Sequence, residues 1–468
     1  MLDGFEPQAY VVDRTDHRTR AQALAKVLRR HDVQLYQLSQ DVEAGGQTFD
    51  AGGGYVVPLD QPQGRFVKAV MERTSTYPDS IFYDVSTWTL PLAFGVDYAP
   101  LDRSPSDLRG EELSAVSYDG GAVSGGQSSY AYVFSWGRYY APRAVRRLQD
   151  NDIRPRVMAD SFTARVDGNP QSFGRGSIVV QVQQRGVSSD SVHAAVRRIA
   201  RRDYVNVYAV DRGLTPSGPD LGSADSEILE KPKVALLTGE GDSGYGAGPY
   251  NAGEVWHLLN ERMKMPVSLI DISDVGEIDL SRYNTMVLAG GTYGSLSAED
   301  VKEWVRDGGT LIGIQSGSEW PIENELVDLN ERDLDIDSLV QNTPYADLPR
   351  AYGAQGIGGS IFQVNLDPTH PIAYGYDDTV PVFHSGTYFY DPSDEPGASV
   401  GTYAEEEPRL SGYISEERLD QLRGATAIEA HEVGSGQVIL FMHNPNFRAF
   451  WHGTNGLFLN AVLFGQLL

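Results

Sequence analysis

The chain of 468 residues contains no cysteine, which excludes disulfides, thiolate nucleophiles, Cys-ligated zinc and iron-sulfur clusters. Lysine is scarce as well, occurring only at Lys26, Lys68, Lys231, Lys233, Lys264 and Lys302, so arginine supplies the rest of the 38 basic residues. Basic charge is outweighed by 64 acidic residues, and the net charge of -26 repels phosphate backbones and anionic membranes. Nucleic acid is therefore not an expected partner. Apolar runs as long as the roughly 18 to 20 residues of a membrane span are missing, and Asp3, Glu6, Asp13 and Asp16 do not fit a signal peptide. No membrane insertion is expected. Low lysine with this much acid fits a protein at home in concentrated salt, where screening relieves self-repulsion.

What is present is ample for buried cores: 41% of residues are hydrophobic, and the length suits about two to four domains at roughly 100–200 residues each. Short apolar runs alternate with amphipathic stretches, a pattern that predicts an α/β fold with largely parallel sheets flanked by helices. Residues 9–12 and 33–38 read as strands around a helix at 21–30, with a third strand at 54–59 and a helix at 63–72. The order returns with strands at 131–134, 154–158 and 176–180 and helices at 141–148 and 192–201. Ala-Tyr-Val opens both units, at Ala9 and Ala131, and Gln-x-Phe precedes the last strand of each, at Gln47 and Gln171. Residues 1–110 and 125–225 are therefore expected to be two related α/β units. A third domain is expected over 231–468, with strands at 234–237, 267–271, 285–289 and 310–314, later β structure to 437–441, and a helix at 457–464. Its element order, with Gly290-Gly291 after one strand and Gly308-Gly309 before the next, resembles the class I glutamine amidotransferase-like fold, which is flavodoxin-like.

That resemblance implies a nucleophile on the sharp turn after Ile314, yet the turn reads Gln315-Ser316-Gly317-Ser318. A glutamine amide cannot attack a carbonyl, so the elbow is expected to be vestigial. The competing enzyme reading takes Ser316 as the nucleophile with His384 or His443 as its base. Among the nine histidines none belongs to an H-x-x-E or H-E-x-x-H pair, so no metal site is expected in this chain. A formal G-x-G-x-x-G from Gly239 to Gly244 follows a strand, but Gly246, Gly248 and Pro249 delay the helix a dinucleotide would need, and a loop is expected instead. Asp84, Ser86 and Trp88 are expected near the carboxyl end of an apolar strand, where α/β sheets bind ligands; the alternative is a buried, hydrogen-bonded cluster. Tyr388, Phe389, Tyr390, Phe447, Phe450 and Trp451 suggest either core or an aromatic platform for a sugar or peptide, as in a carbohydrate or cell-surface binding module.

Four segments resemble the region that follows the catalytic domain in large bacterial zinc carboxypeptidases of the carboxypeptidase A-like family: GYVVPLDQP at 54–62, DSIFYDVSTWTLPLAF at 79–94, DPTHPIAYGY at 367–376 and NPNFRAFWHGTN at 444–455. The resemblance implies an accessory carboxy-terminal region that supports an upstream metallopeptidase domain, or presents peptide substrate to it, in a parent that is secreted or periplasmic. Zinc would belong to that domain, because the family's ligands and catalytic glutamate are not found here.

Overall fold

A computed structural model describes the chain apart from residues 1–5, 83, 119 and 240–246. The first unit runs β1 (Ala9–Asp13), α1 (Arg18–Arg30), β2 (Tyr36–Leu38), β3 (Gly54–Pro58), α2 (Gly64–Met71) and β4 (Tyr98–Leu101), with the hairpin Val42–Ala44/Gln47–Phe49 between β2 and β3. Its sheet order is β4-β1-β3-β2, with Arg109–Glu112 on the β2 edge. The second unit repeats this with β5 (Ala131–Phe134), α3 (Ala141–Gln149), β6 (Arg156–Met158), β7 (Ile178–Gln181), α4 (Ser189–Asp203) and β8 (Val207–Val210), and a hairpin Phe162–Val166/Asn169–Phe173 at the matching place. Its order, β8-β5-β7-β6, is the same.

The α/β class holds, but the expected parallel pairing does not hold in these two units, where the four repeated strands pair antiparallel. The reason is the split β-α-β arrangement: α1 carries the chain from β1 to β2, but β3 inserts between them, so the two strands of the crossover never touch. The repeat extends to register. Tyr10 faces Val57 and Val11 faces Val56, as Tyr132 faces Val180 and Val133 faces Val179. The helices end alike, on Asp32 at φ 58° and Asp152 at φ 57°. A glutamine clamp recurs too: Gln61 Nε2 donates to the Pro58 carbonyl (2.6 Å) while Oε1 accepts from the Gln34 amide (2.7 Å). Gln184 does the same with the Gln181 carbonyl (2.9 Å) and the Arg154 amide (2.8 Å). Both clamps tie the end of the third strand to the start of the second.

Among the described residues the third domain is built on a ten-stranded sheet, nine strands in one order and a short one, Arg409–Ser411, pairing with Ser360–Leu366 beside it. Its parallel part comprises β9 (Val234–Thr238), β10 (Val267–Asp271), β11 (Thr285–Leu288), β12 (Thr310–Ile314) and β17 (Gly436–Phe441), with α5 (Pro249–Trp256) and α6 (Ala298–Arg306) as crossovers. The order β10-β9-β11-β12-β17 is the doubly wound, flavodoxin-like 2-1-3-4-5 arrangement of a glutamine amidotransferase-like domain. Buried strands rich in Val, Ile and Leu, such as Thr310-Leu311-Ile312-Gly313-Ile314, suit a sheet covered on both faces. Beyond β17 the sheet continues antiparallel through β16 (Thr426–Val433), β15 (Ser399–Tyr403), β13 (Ser360–Leu366) and β14 (Thr379–His384), and α7 (Asn455–Phe464) closes the chain.

The domains share their cores. Phe383 and Trp451 of the third domain pack into the cluster of Leu24, Leu92 and Phe94 of the first unit, while α3 and α4 of the second unit share a cluster with α5 and α7. The expected strand around residues 82–92 is not formed by the described residues, which are irregular up to a short helix, Leu90–Phe94. Its hydroxyls bond across to the third domain instead of joining a ladder: Ser86 Oγ donates to the Gly359 carbonyl (2.7 Å), and Thr87 Oγ1 lies 2.7 Å from Ser411 Oγ.

Candidate functional site at the strand-to-helix elbow

β12 is the central strand of the doubly wound sheet, and its carboxyl end opens on the crevice where such sheets place ligands. The chain turns there through Gln315, held at φ 51°, a left-handed conformation that a non-glycine residue adopts at a cost of about 1–3 kcal/mol. Gly317 allows the turn to close, since a Cβ at that position would lie 2.3 Å from the Leu288 carbonyl oxygen. The Gln315 side chain projects into a cavity of about 240 Å³ lined by Ser316, Glu319, His384, Ser385, Tyr388 and Tyr390 among others. This is the strained turn of a nucleophile elbow with an amide at its apex.

Most polar groups around it have partners, but His384 Nε2 and His443 Nε2 are buried with none among the described residues. Gln315 Nε2 donates to Ser385 Oγ (2.9 Å). Ser316 Oγ accepts from the Gly291 amide (2.9 Å), so the backbone donor that could face a developing oxyanion holds the serine instead. Gly290 is fixed from behind, its carbonyl accepting from Asn251 Nδ2 (2.8 Å) and the Gly248 amide (3.1 Å). His384 Nδ1 lies 2.8 Å from the Tyr403 hydroxyl, and burial lowers this imidazole to about 4. His443 Nδ1 bonds the Ala427 carbonyl (3.3 Å), and burial, helped by the nearby His384, lowers it to about 3. Both are therefore neutral at pH 7. The structure gathers Gln315, Ser316 and His384 around one cavity, but no hydrogen bond between Ser316 and either histidine is formed among the described residues.

Sequence reasoning missed Glu319, four residues past Gln315 and on the same side of the elbow. Burial raises its carboxyl to about 7, with the charges of Glu323 and Glu331 acting in the same direction. The signal was present in the spacing, but its three-glutamate neighbourhood needs Glu331 to fold back, which spacing does not reveal.

Asp84, Ser86 and Trp88 lie away from this crevice, at the seam between the first unit and the third domain. Asp84 is exposed, correcting the buried alternative, and is held by Arg448 in a two-pronged ion pair (2.7 and 3.1 Å) that lowers its carboxyl. Trp88 lies 6.0 Å from the Phe450 ring, centroid to centroid, with the Arg448 guanidinium 5.5 Å from its own centroid. The aromatic residues split between two places, Tyr388 and Tyr390 at the elbow and Phe447, Phe450 and Trp451 at the seam. The segment Gly239 to Gly244 lies outside the described residues beyond Gly239 itself. Among the described residues no group of three or more His, Asp or Glu is placed to hold a metal, and no helix is long and apolar enough to cross a membrane.

The segment 444–455 ties all three domains together. Glu254 of α5 accepts from Asn444 Nδ2 (2.7 Å) and the Arg448 amide (2.6 Å). Arg262 donates to Tyr139 of the second unit (2.7 Å) and to Asn455 Oδ1 (3.1 Å). His452 stacks between Phe94 and Tyr139, with centroids 4.6 and 4.8 Å away.

No known protein family matches the sequence, and no curated protein matches it. Solved structures are similar over about half of the chain. A ThuA-like protein from Parabacteroides merdae shares 16% identity over 50% of this chain and 90% of its own, with a TM-score of 0.30. A glutamine amidotransferase from Thermotoga maritima shares 12% identity over 46% of this chain and 77% of its own, with a TM-score of 0.29. A β-galactosidase from Bacillus circulans shares 15% over 49% and 31%, with a TM-score of 0.26. The amidotransferase-like character of the third domain rests on its strand order and elbow, and not on these scores.

Proposed function

We propose that this chain is a non-catalytic accessory region of a zinc metallocarboxypeptidase, which supports an upstream catalytic domain or presents peptide substrate to it. The observation that carries the non-catalytic reading is Gln315: the strained apex that a nucleophile would occupy holds an amide bonded to Ser385. The carboxypeptidase association is supported by the sequence resemblance at 54–62, 79–94, 367–376 and 444–455. In that reading zinc resides in the upstream domain and the parent is secreted or periplasmic.

Two experiments test it. The natural reading frame upstream of Met1 should encode a domain with an H-x-x-E zinc motif; a stop codon or an unrelated domain there would overturn the association. A serine-directed fluorophosphonate should leave the chain unlabelled. Labelling at Ser316 that disappears in Ser316→Ala would establish the competing serine hydrolase. A carbohydrate-binding module would rest on one continuous aromatic platform, and the division of the aromatics between elbow and seam favours it less.

Salt adaptation is part of the same proposal. With a net charge of -26, the melting temperature should rise from about 0.1 to 2 M KCl as the Debye length shrinks from about 10 Å to under 3 Å. A melting temperature that is flat or falling over that range contradicts it.

A further inference from the structure

A second cavity, of about 390 Å³, opens between the first unit and the third domain, within the roughly 300–1,000 Å³ range of small-molecule sites. A smaller cavity of about 40 Å³, walled by Trp136, Arg138 and Tyr139 of the second unit, adjoins it, and the two share Arg20, Gly375 and Tyr376. All three domains thus meet around the Arg20 guanidinium.

Arg20 is poorly satisfied there. Among the described residues it makes one long hydrogen bond, Nη1 to the Gly453 carbonyl at 3.3 Å, and has no carboxylate within ion-pair reach. Burial lowers its pKa below the ordinary guanidinium value, against the opposing influence of Tyr376 and Tyr139 and the weaker one of Asp97 and Asp377. A guanidinium carries five donors in a rigid fork, and on half-buried Arg20 most of them are left to meet whatever enters the cleft. His452 is a second unsatisfied group: it lines the smaller cavity, is 8% exposed, and its Nδ1 has no partner among the described residues.

The opposite charge lines the same space. Asp97 and Asp377 face the larger cavity, and burial together with the charges of Asp13 and Asp16 raises the Asp97 carboxyl. A cation placed there would relieve that repulsion. Phosphate or a dicarboxylate would meet the aspartates, and a simple amine would leave the guanidinium bare. Of the remaining titratable groups, His17 is lowered to about 3 by burial and is neutral, and Arg73 is turned onto the Tyr98 hydroxyl (3.2 Å). We infer that this cleft binds a small zwitterion, a free α-amino acid, with its carboxylate on the Arg20 fork and its ammonium toward Asp97 and Asp377. The inference is independent of the elbow and of the proposed function.

The test is thermal-shift and calorimetric titration of the intact chain with each common L-amino acid at millimolar concentration, with acetate, methylammonium and inorganic phosphate as part-ligands. At least one amino acid should bind and raise the melting temperature with rising concentration. Arg20→Lys keeps the charge and loses the fork, and should weaken that binding about tenfold or more without altering the melting temperature of the free protein. Asp97→Asn and Asp377→Asn, on the cavity wall, should weaken amino-acid binding while leaving any acetate binding unchanged. No binding by any amino acid overturns the inference, as does binding unchanged in Arg20→Lys. Phosphate binding more tightly than every amino acid would overturn the zwitterion assignment.

Discussion

Lowering the pH from 7 to 5 should cost the protein about 4 kcal/mol of folding stability through His384 and His443 alone, roughly 2 kcal/mol each. Burial holds the two imidazoles at about 4 and about 3 in the folded chain, against an ordinary value near 6.5. A histidine lowered on folding stabilises above its unfolded value, and that contribution is lost as the pH falls toward the folded value. The unfolded chain takes up protons below about pH 6.5 while the folded one cannot, so unfolding becomes favoured well above the carboxylate range. His17, lowered to about 3, and His452, also lowered, act in the same direction. Urea unfolding at pH 7 and pH 5 measures the sum, and His443→Gln should remove about 2 kcal/mol of the difference. An identical pH dependence in that variant would mean that His443 is not a buried neutral group. His431 has the opposite slope: burial alone would lower it, but the carboxylates of Glu429 and Glu395 outweigh this and hold it above its ordinary value. Its stabilisation is complete below about pH 6.5 and fades as the pH rises through the folded value, so stability should peak near neutrality.

The second large effect is expected at the seam. Trp451→Ala should destabilise by about 3–5 kcal/mol, the range for removing a large aromatic side chain from a core. Trp451 is 1% exposed and its ring lies 5.4 Å from Phe383 and 5.9 Å from Phe450, while Phe383 stacks on Phe447 at 3.7 Å. These rings join the first unit to the third domain, so amide exchange should quicken in α1 and in Leu90–Phe94 as well as near residue 451. Tyr388, 53% exposed at the elbow, is the control, and Tyr388→Ala should change stability by no more than about 0.5 kcal/mol. A loss under about 1 kcal/mol in Trp451→Ala would show that the domains are held together elsewhere.

The elements themselves were legible because their signals are local. Apolar periodicity marked β12 and α6, and the Ala-Tyr-Val openings at Ala9 and Ala131 marked a repeat that the structure carries down to the register of Tyr10 with Val57 and Tyr132 with Val180. The elbow was legible for the same reason: a strand ending in Ile314, followed by Gln315 and Gly317, names both the turn and the residue at its apex. Strand direction was not legible, because β1 and β2 have the composition of a parallel pair and only the insertion of β3 makes the sheet antiparallel. The surroundings of Asp84 were not legible either, since its partner Arg448 is 364 residues away. The sequence by itself determined the α/β class, the repeat and the amide at the elbow, all set by residues within one turn or one strand of each other. Tertiary structure alone decided the seam, the neutral state of His384 and His443, and the cleft around Arg20, whose side chain donates to the Gly453 carbonyl 433 residues along the chain. Burial and charge pairing are sums over everything that packs against a group, and those neighbours are fixed only when the domains close on one another.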